Sequence, residues 1–258
     1  MTENIVIVPH IIAREAPNPT AEAVTDLLYG ERQSVLEETA DWVRVRNRDD
    51  AYEGWIPQAA LAPLPPEPME PVRRVRTRLA TAYKAPAGRV ALQDIGFASP
   101  IPVAEARGGW IRDGHGRWFR DQDLTAEPLP EGFADLALLF LGVPYVWGGR
   151  HGGGIDCSGL VQVTALAKGH HCLRDTGDQV ESFGHLLEGT ARDHLQRDDI
   201  LYMPGHVAIL TGPLTAVHAD GLAGYVHEQD IETILAERGF RFDEATIRRP
   251  VRAPQSVV

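Results

Sequence analysis

Only two cysteines occur in the 258 residues, and one of them, Cys157 in "GIDCSGLVQ", stands between an acidic residue and a serine where a glycine loop meets an apolar run. This placement predicts a thiol in the first turn of a helix, where unpaired backbone N–H groups and the helix dipole favour an anion. A neighbouring imidazolium would add to that effect, so the expectation is a thiolate at neutral pH. The candidate base is His206, at the head of "HVAIL"; His218, in "AVHAD", follows on the next β-rich run beyond a turn at Gly212 and Pro213. Antiparallel neighbours joined in this way set the two imidazoles side by side. In a Cys-His-X arrangement the first histidine pairs with the thiol and protonates the leaving amine, while the third group fixes its tautomer and orientation. His206 and His218 suit those two roles. A cysteine ahead of an apolar helix is equally the pattern of an inert core residue. His170, His171, His185, His194 and His227 read as surface or capping residues, and no cysteine or histidine spacing resembles a metal site, so neither metal nor cofactor is expected.

These residues need elements to carry them. "FADLALLFLGVPY" has helical spacing from Phe133 to Phe140 and ends at Gly142 and Pro144, and "CSGLVQVTALAKG" predicts a second helix closing at Gly169. "DILYM", "HVAILTG" and "LTAVHAD" are short β-rich runs separated by turn signals. Helices followed by antiparallel strands define an α+β domain. Upstream, "SVLEE" and "WVRVR" alternate apolar and polar residues as half-buried strands do. "PIPVAEARGGWIRDGHGRWFRDQDL" repeats this grammar around Trp110 and Trp118. The proline-dense "LAPLPPEPMEPV" admits neither helix nor central strand. The expected organisation is a β module over 1–64, a linker over 65–72, a second β module over 73–126 and the α+β domain over 127–258.

The formal charge of −11 disfavours nucleic acid and anionic membrane surfaces as partners. "MTENIVIVPH" has no basic leader region and its apolar run stops at Pro9, so the expected compartment is the cytoplasm. Two cysteines make no disulfide framework.

The β modules resemble bacterial SH3-like (SH3b) domains, the first through its "GWI" strand. "PYVWGGRHGGGIDCSGLVQ", "LRDTGDQ", "RDDILYMPGHVAIL" and "AVHADG", in that order, resemble the NlpC/P60 family of cell-wall cysteine peptidases. The resemblance implies a papain-like α+β catalytic domain preceded by two small all-β SH3-like barrels, with Cys157 as nucleophile, His206 as base and His218 as orienting residue. It further implies Tyr145 near the oxyanion, and Asp156 and Ser158 lining the site for the peptide on the amino side of the scissile bond. The SH3b-bearing members are γ-D-glutamyl-L-diamino acid endopeptidases of the dipeptidyl-peptidase VI type. The implied substrates are therefore small peptidoglycan stem peptides with a free N-terminal L-Ala, cut between γ-D-Glu and meso-diaminopimelate or Lys in wall-peptide recycling. Glu31 and Tyr52 would be the gate for that amine. "RDT" with Gln179 is expected to serve the fold. The family's Gly-Asp-Leu entry to the histidine strand is here Asp198-Asp199-Ile200, in which aspartate replaces a turn glycine. Two other classes remain open: a non-catalytic wall-peptide binding module, and an acyltransferase or amidase using the same thioester chemistry.

Overall fold

The computed structural model describes residues 3–64, 72–189 and 192–251, so the expected linker lies, but for Val72, outside the described residues. The chain divides into two compact units, Met1–Leu129 with Trp147–Gly153, and Pro130–Val146 with Gly154–Val258.

In the first unit, β1 (Glu3–Val6), β2 (His10–Arg14), β3 (Ala23–Leu28), β4 (Arg32–Glu38), β5 (Trp42–Asn47), β6 (Glu53–Pro57) and β7 (Leu61–Pro63) form a sheet in the order β3-β2-β6-β5-β4-β1-β7. β8 (Val72–Val75), β9 (Leu79–Tyr83), β10 (Ala91–Gly96), β11 (Pro100–Arg107), β12 (Trp110–Asp113), β13 (Trp118–Arg120) and β14 (Leu124–Thr125) form a second, in the order β10-β9-β13-β12-β11-β8-β14. Strand for strand, the second order repeats the first. Along β5 the period of two is plain: Val43, Val45 and Asn47 are buried while Arg44 and Arg46 face solvent.

Each sheet closes over its own core, Val6, Leu27, Val45 and Ile56 in one and Ile95, Ile101, Ile111 and Phe119 in the other. Tyr29, just after β3, crosses into the second core; its hydroxyl donates to the buried Asp113 carboxylate, and the Arg117 guanidinium lies 4.7 Å over its ring. Gly30 permits this approach: its φ is +80°, and a Cβ there would lie 1.8 Å from the Pro100 carbonyl oxygen.

The later elements are α1 (Phe133–Leu138), β15 (Arg150–His151, in the first unit), β16 (Gly154–Ile155), α2 (Cys157–Ala167), α3 (Thr176–Ser182), β17 (His185–Leu186), β18 (Ile200–Met203), β19 (His206–Leu210), β20 (Thr215–Asp220), β21 (Tyr225–Asp230), α4 (Ile231–Glu237) and β22 (Thr246–Arg249). A six-stranded antiparallel sheet runs β17-β22-β18-β19-β20-β21. α2 is buried along its whole length, its polar Gln162 and Thr164 donating to the Cys172 and Leu160 carbonyls, each at 3.0 Å, and it packs against β19 and β20. Leu201, Ala208, Leu210 and Ala216 of the sheet pack with Ile231, Ile234 and Leu235 of α4. Sequence periodicity had not pointed to β21, α4 or β22.

Asp198, standing at the expected glycine, has φ 77°. Aspartate tolerates this left-handed conformation better than most residues, and its carboxylate is put to use, accepting from the Ala134 N–H at the start of α1 at 2.8 Å. Among the described residues no helix is long and apolar enough to cross a membrane.

Candidate active site

Cys157 is the first residue of α2 and Asp156 its N-cap, the Asp156 carboxylate accepting from the Gly159 N–H at 2.7 Å. The same carboxylate receives the Arg174 guanidinium through two nitrogens, at 3.1 and 2.5 Å, and Arg174 also donates to the Ser158 hydroxyl at 2.8 Å. With side-chain exposures of 1% for Arg174 and 6% for Asp156, this is a buried, two-pronged ion pair. Gln179 of α3 holds the arginine's loop against the start of α2, its amide donating to the Ser158 carbonyl at 3.0 Å and the Leu173 carbonyl at 2.8 Å. The fold role expected of the "RDT" segment and Gln179 is thus visible, and the Thr176 hydroxyl also bears on the Cys157 thiol, pulling its pKa down. Asp156 and Ser158, expected to line the peptide site, have part of their polar capacity committed to Arg174.

His206 and His218 stand side by side on β19 and β20, with His206 Nε2 and His218 Nδ1 2.9 Å apart and the rings nearly perpendicular at 82°. Beyond them, His218 Nε2 meets Gln229 Oε1 at 3.2 Å. His227, read from the sequence as a surface or capping residue, instead lies against His218, with ring centroids 4.7 Å apart, and bonds to Asp220 at 3.1 Å. Its place opposite His218 follows from the β20–β21 register, which only an assigned β21 could have revealed. Asp220 is buried and also binds Arg238 at 2.5 Å. Burial would raise its pKa, but the Leu222 N–H, His227 and Arg238 together hold it down at about 2. His218, Asp220 and His227 bring three ligand atoms within 4.8 Å of one another. Asp220 is already engaged by Arg238, whose charge opposes a cation there.

Tyr145 forms a bridge with Ile155, just ahead of Asp156, and its ring lies beside Gly221. Burial, then the nearby Cys157 and Asp156, push its hydroxyl well above the usual tyrosine range, so it remains a hydrogen-bond donor at every physiological pH.

The resting charge state differs from the expected thiolate. Burial and the adjacent Asp156 push the Cys157 thiol up to about 11, against the opposing pull of the Val207 and Ser158 N–H groups and the Thr176 hydroxyl. Burial, Arg238 and His218 lower His206 to about 3. Burial also lowers His218 to about 4. Thiol and imidazoles are therefore neutral near pH 7, because desolvation outweighs the helix terminus. The 240 nm absorbance difference between the parent protein and its Cys157→Ala variant is expected to show no thiolate step from pH 5 to 9; a step below pH 7 would restore the ion pair. Both histidine values fall below the ordinary 6.5, so the unfolded chain binds more protons than the native one as pH drops. Stability should be full above about pH 6.5 and fall toward pH 4, at up to roughly 2 to 3 kcal/mol per pH unit. Chemical denaturation across that range measures the slope.

Glu31 and Tyr52 lie in the first unit. Glu31 is 2% exposed, its carboxylate bound to Arg150 at 2.9 Å, to the Asn47 amide at 3.0 Å and to the Leu28 N–H at 3.0 Å. Burial pushes this carboxyl upward, and Arg150 opposes the shift. Tyr52 is half-buried, its N–H bonded to Asp50 at 3.0 Å. Arg150→Met strands Glu31 without its cation and is expected to cost about 3 to 5 kcal/mol in denaturant unfolding, part of which Glu31→Gln in the same chain should recover. A loss below 1 kcal/mol would mean that water reaches the pair.

Comparison with known proteins bears on this arrangement. The NlpC/P60 family model matches residues 142–238, and that of the bacterial dipeptidyl-peptidase Sh3 domain matches residues 13–61. The chain is 25% identical over 226 residues to the gamma-D-glutamyl-L-lysine dipeptidyl-peptidase of Bacillus cereus (strain ATCC 10987 / NRS 248), covering 76% of this chain and 66% of that protein. It is 28% identical over 225 residues to dipeptidyl-peptidase 6 of Lysinibacillus sphaericus, covering 79% of this chain and 82% of that one. The match thus spans just under two-thirds of the Bacillus cereus relative. The crystal structure of an NlpC/P60 family protein from Bacillus cereus ATCC 10987 shares the fold, with a TM-score of 0.82 at 21% identity over 96% of this chain and 99% of that one.

Fold and matches together give the chain the fold of an NlpC/P60 family protein, with an all-β region ahead of its mixed helix and strand domain. Residues 142–238 thus match the NlpC/P60 family and residues 13–61 the bacterial Sh3 domain, and the two relatives named above are dipeptidyl-peptidases.

Proposed function

We propose that this protein hydrolyses the bond between γ-D-Glu and a diamino acid, meso-diaminopimelate or Lys, in peptidoglycan-derived peptides that begin with a free L-Ala. The observation that carries this reading is a buried Cys157 at the head of α2, a helix packed against β19 and β20, on which the buried His206 and His218 are bonded at 2.9 Å. Cys157 Sγ attacks the γ-carbonyl carbon as its proton passes to the neutral His206 imidazole, and the Tyr145 hydroxyl donates to the oxygen that gains charge. The C–N bond then breaks and His206 returns the proton to the departing amine. Water, deprotonated by His206, cleaves the thioester and restores the thiol. Because thiol and base start neutral, attack and proton transfer occur together, and no resident ion pair is required.

A cavity of about 230 Å³ lined by Thr176, Gly177, Val180, Met203, Gly205 and Glu244 supports the choice of substrate. The Thr176 hydroxyl pulls down the pKa of the Cys157 thiol and Gly205 precedes His206, so this space adjoins the reacting groups, and an apolar wall with one carboxylate suits an aliphatic side chain ending in an ammonium. The same proposal reads both seven-stranded sheets as SH3b modules and the catalytic fold as papain-like. It also takes Asp156 and Ser158 as substrate-lining groups, Glu31 and Tyr52 as the determinants of amine selection, and the cytoplasm as the place of a recycling role.

Mass spectrometry of products from L-Ala-γ-D-Glu-meso-diaminopimelate, its Lys counterpart and the N-acetylated forms tests this reading. Release of L-Ala-D-Glu from the free-amine peptides alone is the expected result. Binding without cleavage would mark a non-catalytic module. Transfer of the acyl group to an added amine in place of water would mark an acyltransferase. Cell fractionation tests the compartment.

A further inference from the structure

A 2.9 Å contact between two imidazoles has two possible proton arrangements, and they differ in chemical consequence. If His218 Nδ1 carried the proton, His206 would accept it at Nε2 and would hold its own proton on Nδ1, leaving no lone pair for the thiol. If His206 Nε2 carries the proton, Nδ1 is free to act as the base. The histidines alone do not choose between these.

The groups beyond them do. Gln229 Oε1 lies 3.2 Å from His218 Nε2, and Gln229 Nε2 lies 3.2 Å from a Glu237 carboxylate oxygen. A carboxylate accepts and does not donate, so Glu237 requires the NH₂ side of the Gln229 amide, which turns the carbonyl side to His218. That carbonyl in turn requires a proton on His218 Nε2. In a neutral imidazole Nδ1 is then the acceptor, and His206 must donate from Nε2. The arrangement is local to the last strand and helix: Gln229 lies on β21, diagonal to His218 across the β20–β21 register, and Glu237 is the last residue of α4.

We propose that Gln229, oriented by Glu237, is a positioning residue that sets the tautomers of His218 and His206 so that His206 Nδ1 is the base for Cys157. This deepens the peptidase reading above and rests on it for the identity of the base. The other charged or titratable groups facing His218 are His206, Asp220, His227 and Arg238, all of which remain in the variants below.

The experiment uses the full chain with L-Ala-γ-D-Glu-L-Lys, and nitrogen NMR of histidine-labelled protein as a readout independent of turnover. Gln229→Leu, which removes the acceptor, is expected to lower kcat by roughly 10- to 100-fold, the range for an outer partner that fixes a histidine, with KM unchanged. Its spectrum should lose the single Nε2–H form of His206. The exchanged pair Gln229→Glu with Glu237→Gln keeps an acceptor toward His218 and a donor behind it, so most of kcat should return. A carboxylate next to His218 stabilises its imidazolium, so the acid limb of the rate profile should move to higher pH. A Gln229→Leu protein with parental kcat, pH profile and His206 spectrum would overturn the proposal, as would failure of the exchanged pair to recover activity while folded by thermal unfolding. Parental protein with no Cys157-dependent turnover would instead overturn the reaction assigned above, while the nitrogen spectra would still decide the tautomer.

Discussion

Cys157→Ala is expected to abolish turnover, a loss on the order of 10⁴-fold or more in kcat, while leaving the unfolding midpoint close to that of the parent. The side chain is small and neutral in the resting state, and its loss removes only one sulfur from a site where the pull of the Val207 and Ser158 N–H groups and the Thr176 hydroxyl on the thiol is outweighed by burial. A structural cysteine would show the reverse, a shifted midpoint with activity retained. Iodoacetamide labelling sharpens the test: with a thiol held near 11, the labelling rate should rise steadily with pH through neutrality. A plateau already reached at pH 6 would show that a thiolate is resident after all.

Arg174→Met should have the second largest effect, and on both stability and rate. It leaves the Asp156 carboxylate buried without its cation, a change that costs about 3 to 5 kcal/mol when one partner of a desolvated pair is removed. That carboxylate also caps α2, so the position of Cys157 depends on it. Denaturant unfolding and steady-state kinetics on the same preparation measure both losses. Asp156→Asn with Arg174→Met, which retains a cap without a charge, is expected to recover much of the stability. An Arg174→Met protein as stable as the parent would mean that the pair is hydrated and that α2 is held by packing alone.

The local parts of this site were legible because they depend on short stretches of chain. A glycine loop before an apolar run places Cys157 at a helix start, and two apolar runs joined by a Gly-Pro turn place His206 and His218 on neighbouring strands. The repeated alternation upstream anticipated two β modules, and the sheets of the first unit do share one strand order. β21, α4 and β22 were missed because "YVHEQD" and "TIRR" are half-exposed strands of mixed polarity, with no clear apolar period. With them went Gln229, Glu237 and the register that brings His227 to His218.

Glu31 shows the other kind of limit. As a residue type it is an acid suited to an ammonium, but its nearest cation is Arg150, more than a hundred residues away in the chain, and nothing in "LLYGE" announces that partner. Arg174 was visible as a motif residue, yet its two-pronged hold on Asp156 follows only from the loop that Gln179 ties down.

The sequence by itself determined which atoms could do chemistry and which elements carry them, since helix starts, strand periods and turns arise from neighbours within a few residues. Only the tertiary structure decided their charge. A helix terminus argues for a thiolate, but burial is the sum of everything packed around Cys157, His206 and His218, and at this site it outweighs the local field and leaves all three neutral.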